Sequence, residues 1–182
     1  IHAPLPILLF CLFKNNKVQH TCQSNCMKSS TIYYDIIPLG GSKMNDYIIN
    51  FLKEIMAIDS PSGYTKEVIH HCQKEAENLG FHTHQTNKGN LEIYVEGQDD
   101  YTVGFCGHVD TLGLMVRSIK SDGTLAFTNV GGPIIPTLDG EYCRIHTRSG
   151  KCYTGTILSN YPAVHVYKDA KSAPRDCENM HV

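Results

Sequence analysis

The order of hydrophobic and polar positions changes character along this chain, and from Met44 onward it follows regular periods. Ile48, Phe51, Leu52, Ile55 and Met56 recur at three- and four-residue intervals, which predicts an amphipathic helix. "DSPSG" at 59–63 is turn chemistry, since proline and glycine both interrupt a helix there. A second helix follows with Val68, Ile69, Cys72, Ala76 and Leu79 on one face, and Gly80 stands where a C-terminal cap belongs. The period then shortens to two. "FHTHQT" leads through the turn "NKGN" into "LEIYVEG", and after "QDD" comes "YTVGFCG". The apolar, glycine-bearing "TVGFCG" reads as a strand buried on both faces.

Beyond Asp110 the texture is strands and tight turns alone. "GLMVRSI" and "TLAFTNV" flank Ser121-Asp122-Gly123, and "EYCRIHT" and "KCYTGTIL" flank Arg148-Ser149-Gly150; both read as hairpins. Helices followed by strands predict an α/β fold with helices on a mixed sheet, spanning 44–111. A small all-β domain is expected over 112–182.

Residues 1–43 lack any sustained period. "GGSK" at 40–43 suggests one reason, because a Gly-Gly pair just before a methionine can be encoded by a purine-rich ribosome-binding sequence. Residues 1–43 are therefore expected to be upstream translated or disordered sequence, with Met44 as the start. An ordinary N-terminal extension is the alternative. The run "PILLFCLF" at 6–13 is too short to span a bilayer, and no basic region precedes it as in a secretory signal.

Composition narrows the function classes only slightly. A net charge of -2 makes no electrostatic case for nucleic acid or an anionic membrane. There are eight cysteines. Cys72, Cys106, Cys143, Cys152 and Cys177 fall singly within apolar or strand-like segments, so they are expected to be buried free thiols in a reduced protein. "HTCQSNC" at 20–26 has a loosely metal-like spacing but no matching second cluster, which argues against a structural zinc site.

The candidate chemistry lies in "GFCGHVDTLG" at 104–113. Ligands and catalytic groups in open α/β sheets gather just past the carboxyl ends of strands, where His108 stands. Asp110 would share its side of an extended chain and could accept one ring N–H, turning the other nitrogen toward a metal. On spacing alone, a hydrogen-bonded structural histidine is the more common case, and metal binding is the less frequent reading. His82 and His84 also share a strand face, but an exposed face explains them more simply. His70 and His71 read as surface or boundary residues of the second helix.

Taken in order, "IDSPSGYTKEV", "GHVDTLGLMV", "DGTLAFTNVGG", "GKCYTGTIL", "YPAVHVYKDA" and "ENMHV" resemble the N-terminal part of the glutamyl/deblocking aminopeptidases. These di-metal peptidases include the TET enzymes and relatives named cellulase M or endoglucanase. The resemblance extends from Met44 to Val182. It implies a cytoplasmic metallopeptidase that cleaves N-terminal residues from peptide substrates at a centre of two divalent metal ions, zinc or cobalt. It also implies His108 as a metal ligand and Asp110 as the catalytic-site aspartate supporting it. Many relatives have an acidic residue after that aspartate; here Thr111 follows it. The β domain resembles the inserted domain through which the family builds dodecamer-type homo-oligomers.

The family's bridging aspartate, catalytic glutamate, other carboxylate ligands and second histidine have no counterparts in this sequence, which contains no second His-x-Asp and no Glu-Glu pair. The chain is accordingly expected to be an enzyme fragment, inactive by itself. Two other functions stay open: a non-catalytic assembly or binding module, and a related di-metal carboxypeptidase or deacylase.

Overall fold

The computed structural model describes residues 11–15, 41–98 and 101–182. The expected upstream segment therefore lies outside the described residues at 1–10 and 16–40, and "HTCQSNC" lies outside them entirely. The chain forms two compact units, one running to Thr111 and the other from Leu112 to Val182.

In the first unit, strand β1 (Cys11–Asn15) is followed by helices α1 (Gly41–Ala57) and α2 (Lys66–Asn78). Strands β2 (His82–Gln85), β3 (Leu91–Gly97) and β4 (Gly104–Phe105) complete it. Helix α1 begins at Gly41, before the first residue of its apolar period at Ile48, because helix ends follow backbone hydrogen bonding rather than apolar period. Its predicted stripe is covered only at its middle, and Met56 near the end is exposed. Phe51, Leu52 and Ile55 reach the core, whereas Ile48 is 54% exposed.

Helix α2 buries Val68, Cys72 and Ala76 on one face. It ends in a Schellman motif: Phe81 N–H donates to Ala76 O (3.0 Å) and Gly80 N–H to Glu77 O (2.9 Å). Gly80 adopts φ 84°, a left-handed conformation that side chains resist. Phe81 then packs onto the core beside the helix end.

The sheet is mixed, in the order β2-β3-β1-β4. Strand β3 runs antiparallel to β2 and parallel to β1, and β1 runs antiparallel to β4. Leu91, Ile93 and Val95 of β3 alternate into the interior, with Glu92 and Tyr94 on the opposite face. Helix α2 packs against β2 and β3, and this contact makes the core.

The expectation for "TVGFCG" is corrected. Only Gly104–Phe105 is strand, and Val103 and Phe105 are 42% and 52% exposed. The reason is position. Strand β4 lies at the sheet edge, bonded to β1 alone, while the packing helix sits over the far strands.

The second unit contains strands β5 (Gly113–Ile119), β6 (Leu125–Val130), β7 (Tyr142–His146), β8 (Cys152–Thr156), β9 (Leu158–Ser159) and β10 (Met180–His181). They pair antiparallel as β5-β6, β7-β8 and β9-β10. At the first hairpin Asp122 Oδ1 accepts from Thr124 N–H (3.0 Å) and Thr124 Oγ1 (2.7 Å), and Gly123 takes φ 86°. The sequence pattern does not signal the 3₁₀ turn at Ile135–Leu138; Pro136 lies in its first turn, where a missing N–H costs little, and extended Asp139 with Gly140 at φ 92° ends it. Phe127, Ile157 and Met180 form the core, and Leu125 exchanges backbone hydrogen bonds with Val182 to tie the last strand down.

Five described cysteines are free, and their burial corrects the uniform expectation. Cys72 is buried and burial pushes its thiol up to about 11, whereas Cys106 and Cys152 are exposed. Cys106 follows an edge strand, and Cys152 opens β8 beside the hairpin turn, paired with His146. In the native protein, Cys106 and Cys152 are expected to react quickly with a thiol reagent and Cys72 only after denaturation. Peptide mapping by mass spectrometry reads this directly. Rapid native labelling of Cys72 would refute the packing of α2. Among the described residues no helix is long and apolar enough to cross a membrane.

Candidate functional site

The turn after α1 and the segment after β4 are stitched together in the first unit. Ser60 is fully buried; its Oγ donates to Val109 O (3.0 Å). Thr111 N–H donates back to Ser60 O (2.8 Å), and Pro61 and Thr111 form a parallel bridge. Tyr64 N–H closes the turn on Pro61 O (2.7 Å), with Gly63 at φ 87°. Val109 packs against the core cluster. In an extended segment its neighbours His108 and Asp110 then project to the opposite side.

His108 Nδ1 lies 3.0 Å from Asp110 Oδ1 and 3.1 Å from Asp110 O. Ser62 Oγ donates to the other carboxylate oxygen, Asp110 Oδ2. That hydroxyl, more than any other neighbour, holds the Asp110 carboxyl below its usual range; the nearby imidazole adds to the effect and partial burial opposes it. Asp110 is then an ionised, acceptor-only group at neutral pH. A carbonyl oxygen cannot donate either. Both partners of Nδ1 are acceptors, so Nδ1 carries a proton, and in the neutral ring this tautomer leaves the lone pair on Nε2.

This arrangement leaves one imidazole nitrogen able to ligate a cation, on a side chain 63% exposed. Both Asp110 oxygens are occupied by donors, which suits an orienting role better than a ligating one. Among the described residues no three His, Cys, Asp or Glu side chains converge on one point. The residues present thus fit one position of a metal centre, and a zinc needs about three protein ligands.

Among the described residues of the first unit, the other histidines are engaged elsewhere. His82 and His84 lie exposed along β2, His70 is exposed on α2, and His71 Nε2 lies 3.2 Å from Glu54 Oε2 while its ring stacks on Phe51. Ser62 was not singled out from the sequence, because "DSPSG" is fully explained as a turn. Its contact with Asp110 spans 48 positions, and no local pattern signals it.

Comparison with known proteins gives a consistent result. A family model described as M42 glutamyl aminopeptidase matches residues 89–182, just over half of the chain. YhfE of Bacillus subtilis (strain 168), which carries a provisional aminopeptidase assignment, is 43% identical over 135 residues, covering 74% of this chain and 39% of YhfE. Two solved structures share the fold. The TET aminopeptidase of the marine sediment archaeon Thaumarchaeota archaeon SCGC AB-539-E09 matches with a TM-score of 0.63 at 24% identity, over 75% of this chain and 38% of that one. Aminopeptidase APDkam598 of the archaeon Desulfurococcus kamchatkensis matches at 0.61 and 22%, over 73% and 36%. The chain therefore spans about two fifths of the length of the relatives it matches. With a family model covering His108, Asp110 and the whole second unit, more than half of its length, the chain belongs to the M42 glutamyl aminopeptidase family.

Proposed function

We propose that this chain is part of a metal-dependent aminopeptidase that removes N-terminal residues from peptides at a centre of two divalent ions, zinc or cobalt. The observation carrying the reading is an imidazole turned outward by a carboxylate, within a chain of the M42 family. A metal held in such a centre would supply Lewis-acid polarisation and activation of water at neutral pH. His108 contributes Nε2 as one ligand. Asp110 fixes the ring's rotation and tautomer from the opposite nitrogen. The remaining ligands belong to parts of the protein outside this chain, in keeping with the 39% of YhfE that it spans.

We assign the second unit, residues 112–182, to homo-oligomer contacts of a cytoplasmic enzyme. Met115, Val116 and Ile119 of β5 and Tyr142 of β7 are exposed apolar groups that favour such contacts.

The test compares the 182-residue chain with a longer protein that contains it, using aminoacyl chromogenic substrates with zinc or cobalt. The longer protein is expected to cleave them, to stop when chelated and to recover with metal. The 182-residue chain is expected to release nothing. Activity in the short chain would refute an incomplete centre. A metal-loaded longer protein without aminopeptidase activity would overturn the reading in favour of an assembly module, or of a related hydrolase if it cleaves carboxy-terminal or acyl substrates.

A further inference from the structure

We infer that Ser62 is a positioning residue for His108, acting through Asp110; the inference rests on the reading of His108 as a metal ligand. A carboxylate held at one oxygen alone still rotates about its Cβ–Cγ bond, and a ring hydrogen-bonded to it moves along. Here the Ser62 hydroxyl takes the second oxygen while His108 Nδ1–H takes the first. A serine hydroxyl has one proton to donate, and an ionised carboxylate can only accept it. The direction of the relay is therefore set: Ser62 to Asp110, and His108 to Asp110 from the other side.

The backbone beneath Ser62 is itself held in place. Ser60 is buried and bonded to Val109, and Pro61 bridges to Thr111, so the residues before Ser62 are tied to those around Asp110. This gives the hydroxyl a fixed origin rather than a mobile loop tip. Ser62 itself is exposed, so it contributes little burial to folding. Removing its hydroxyl should leave the fold intact and show its effect in the site. A merely structural turn serine would behave in the opposite way.

Two measurements separate these roles. In the metal-free 182-residue chain labelled with ¹⁵N-histidine, long-range ¹H–¹⁵N spectra report the His108 tautomer, its signals identified by their loss in His108→Ala. Wild type should be protonated at Nδ1. Ser62→Ala should show a mixture with the Nε2-protonated form, and Ser62→Thr should restore the wild-type pattern. In the longer protein, chelator competition should show zinc held about 10-fold more weakly by Ser62→Ala, the low end for changes behind a ligand, with Ser62→Thr close to wild type.

If Ser62→Ala does not fold, Ser62→Thr against the near-isosteric Ser62→Val makes the same comparison. Unchanged zinc binding in His108→Ala would reject the metal-ligand reading itself. Loss of zinc in His108→Ala, with wild-type tautomer and affinity in Ser62→Ala or Ser62→Val, would reject the role of Ser62 alone.

Discussion

Replacing His108 with alanine in the longer protein is expected to empty one metal position and to lower peptide turnover sharply. The imidazole is the one ligand the described residues bring to the site, and alanine offers no substitute donor. A catalytic zinc that loses one of about three protein ligands loses both affinity and the geometry that activates its water. Asp110→Asn should be milder. The asparagine carbonyl can still accept from His108 Nδ1–H while its amide donates toward Ser62 Oγ, so the ring keeps its orientation but loses the neighbouring charge. A cost of about 10–100-fold in metal affinity or activity is typical of such changes. Metal content per chain and initial rates for both variants decide the matter. A His108→Ala protein that keeps both metals and full activity would defeat the assignment. So would an Asp110→Asn protein more impaired than His108→Ala, because the carboxylate would then be the ligand.

Phe127→Ala is expected to unfold the second unit. Phe127 is 1% exposed and packs with Ile157 and Met180 at the centre of the only core cluster described there. Truncating a buried phenylalanine costs about 3–5 kcal/mol, counting the lost transfer energy and the cavity. A unit of this size has roughly 4–11 kcal/mol in total, at about 0.05–0.15 kcal/mol per residue. The change removes much or all of that margin. Gly155→Ala works by the opposite mechanism. An added Cβ would meet Val182 Cγ1 at 2.6 Å and Ile145 Cδ1 at 2.9 Å, and overpacking of this kind costs about 1–3 kcal/mol. Amide hydrogen exchange over β5 to β8 provides the measurement: protection should vanish in Phe127→Ala and fall partially in Gly155→Ala. Full protection in Phe127→Ala would show that the unit is held together in some other way.

Much of the local structure was legible from short patterns. Asp122-Gly123 and Ser149-Gly150 mark turns whose glycines adopt φ 86° and 80°, and the strands on either side pair as expected. Gly80 caps α2 where the helical period ends. The apolar period was less informative about burial. It placed Ile48 on the same stripe as Ile55, yet only Ile55 meets α2 and the sheet. The fate of "TVGFCG" shows the same limit, since composition indicates what a strand could bury but not whether a layer lies over it.

Turns, caps and helix faces were determined by the sequence itself, because their physics involves residues a few positions apart: a positive φ that needs glycine, a side chain that returns every third or fourth place. The pairing of His108 with Asp110 was open to sequence reasoning for the same reason, being two residues apart. What only the tertiary structure decided is the chain's return across 48 positions that sets Ser62 on Asp110 Oδ2. That contact follows from the buried Ser60 and the Pro61–Thr111 bridge, a pairing between two segments neither of which announces the other. Nothing within either segment requires the contact, because its energy exists only once packing has brought the two together.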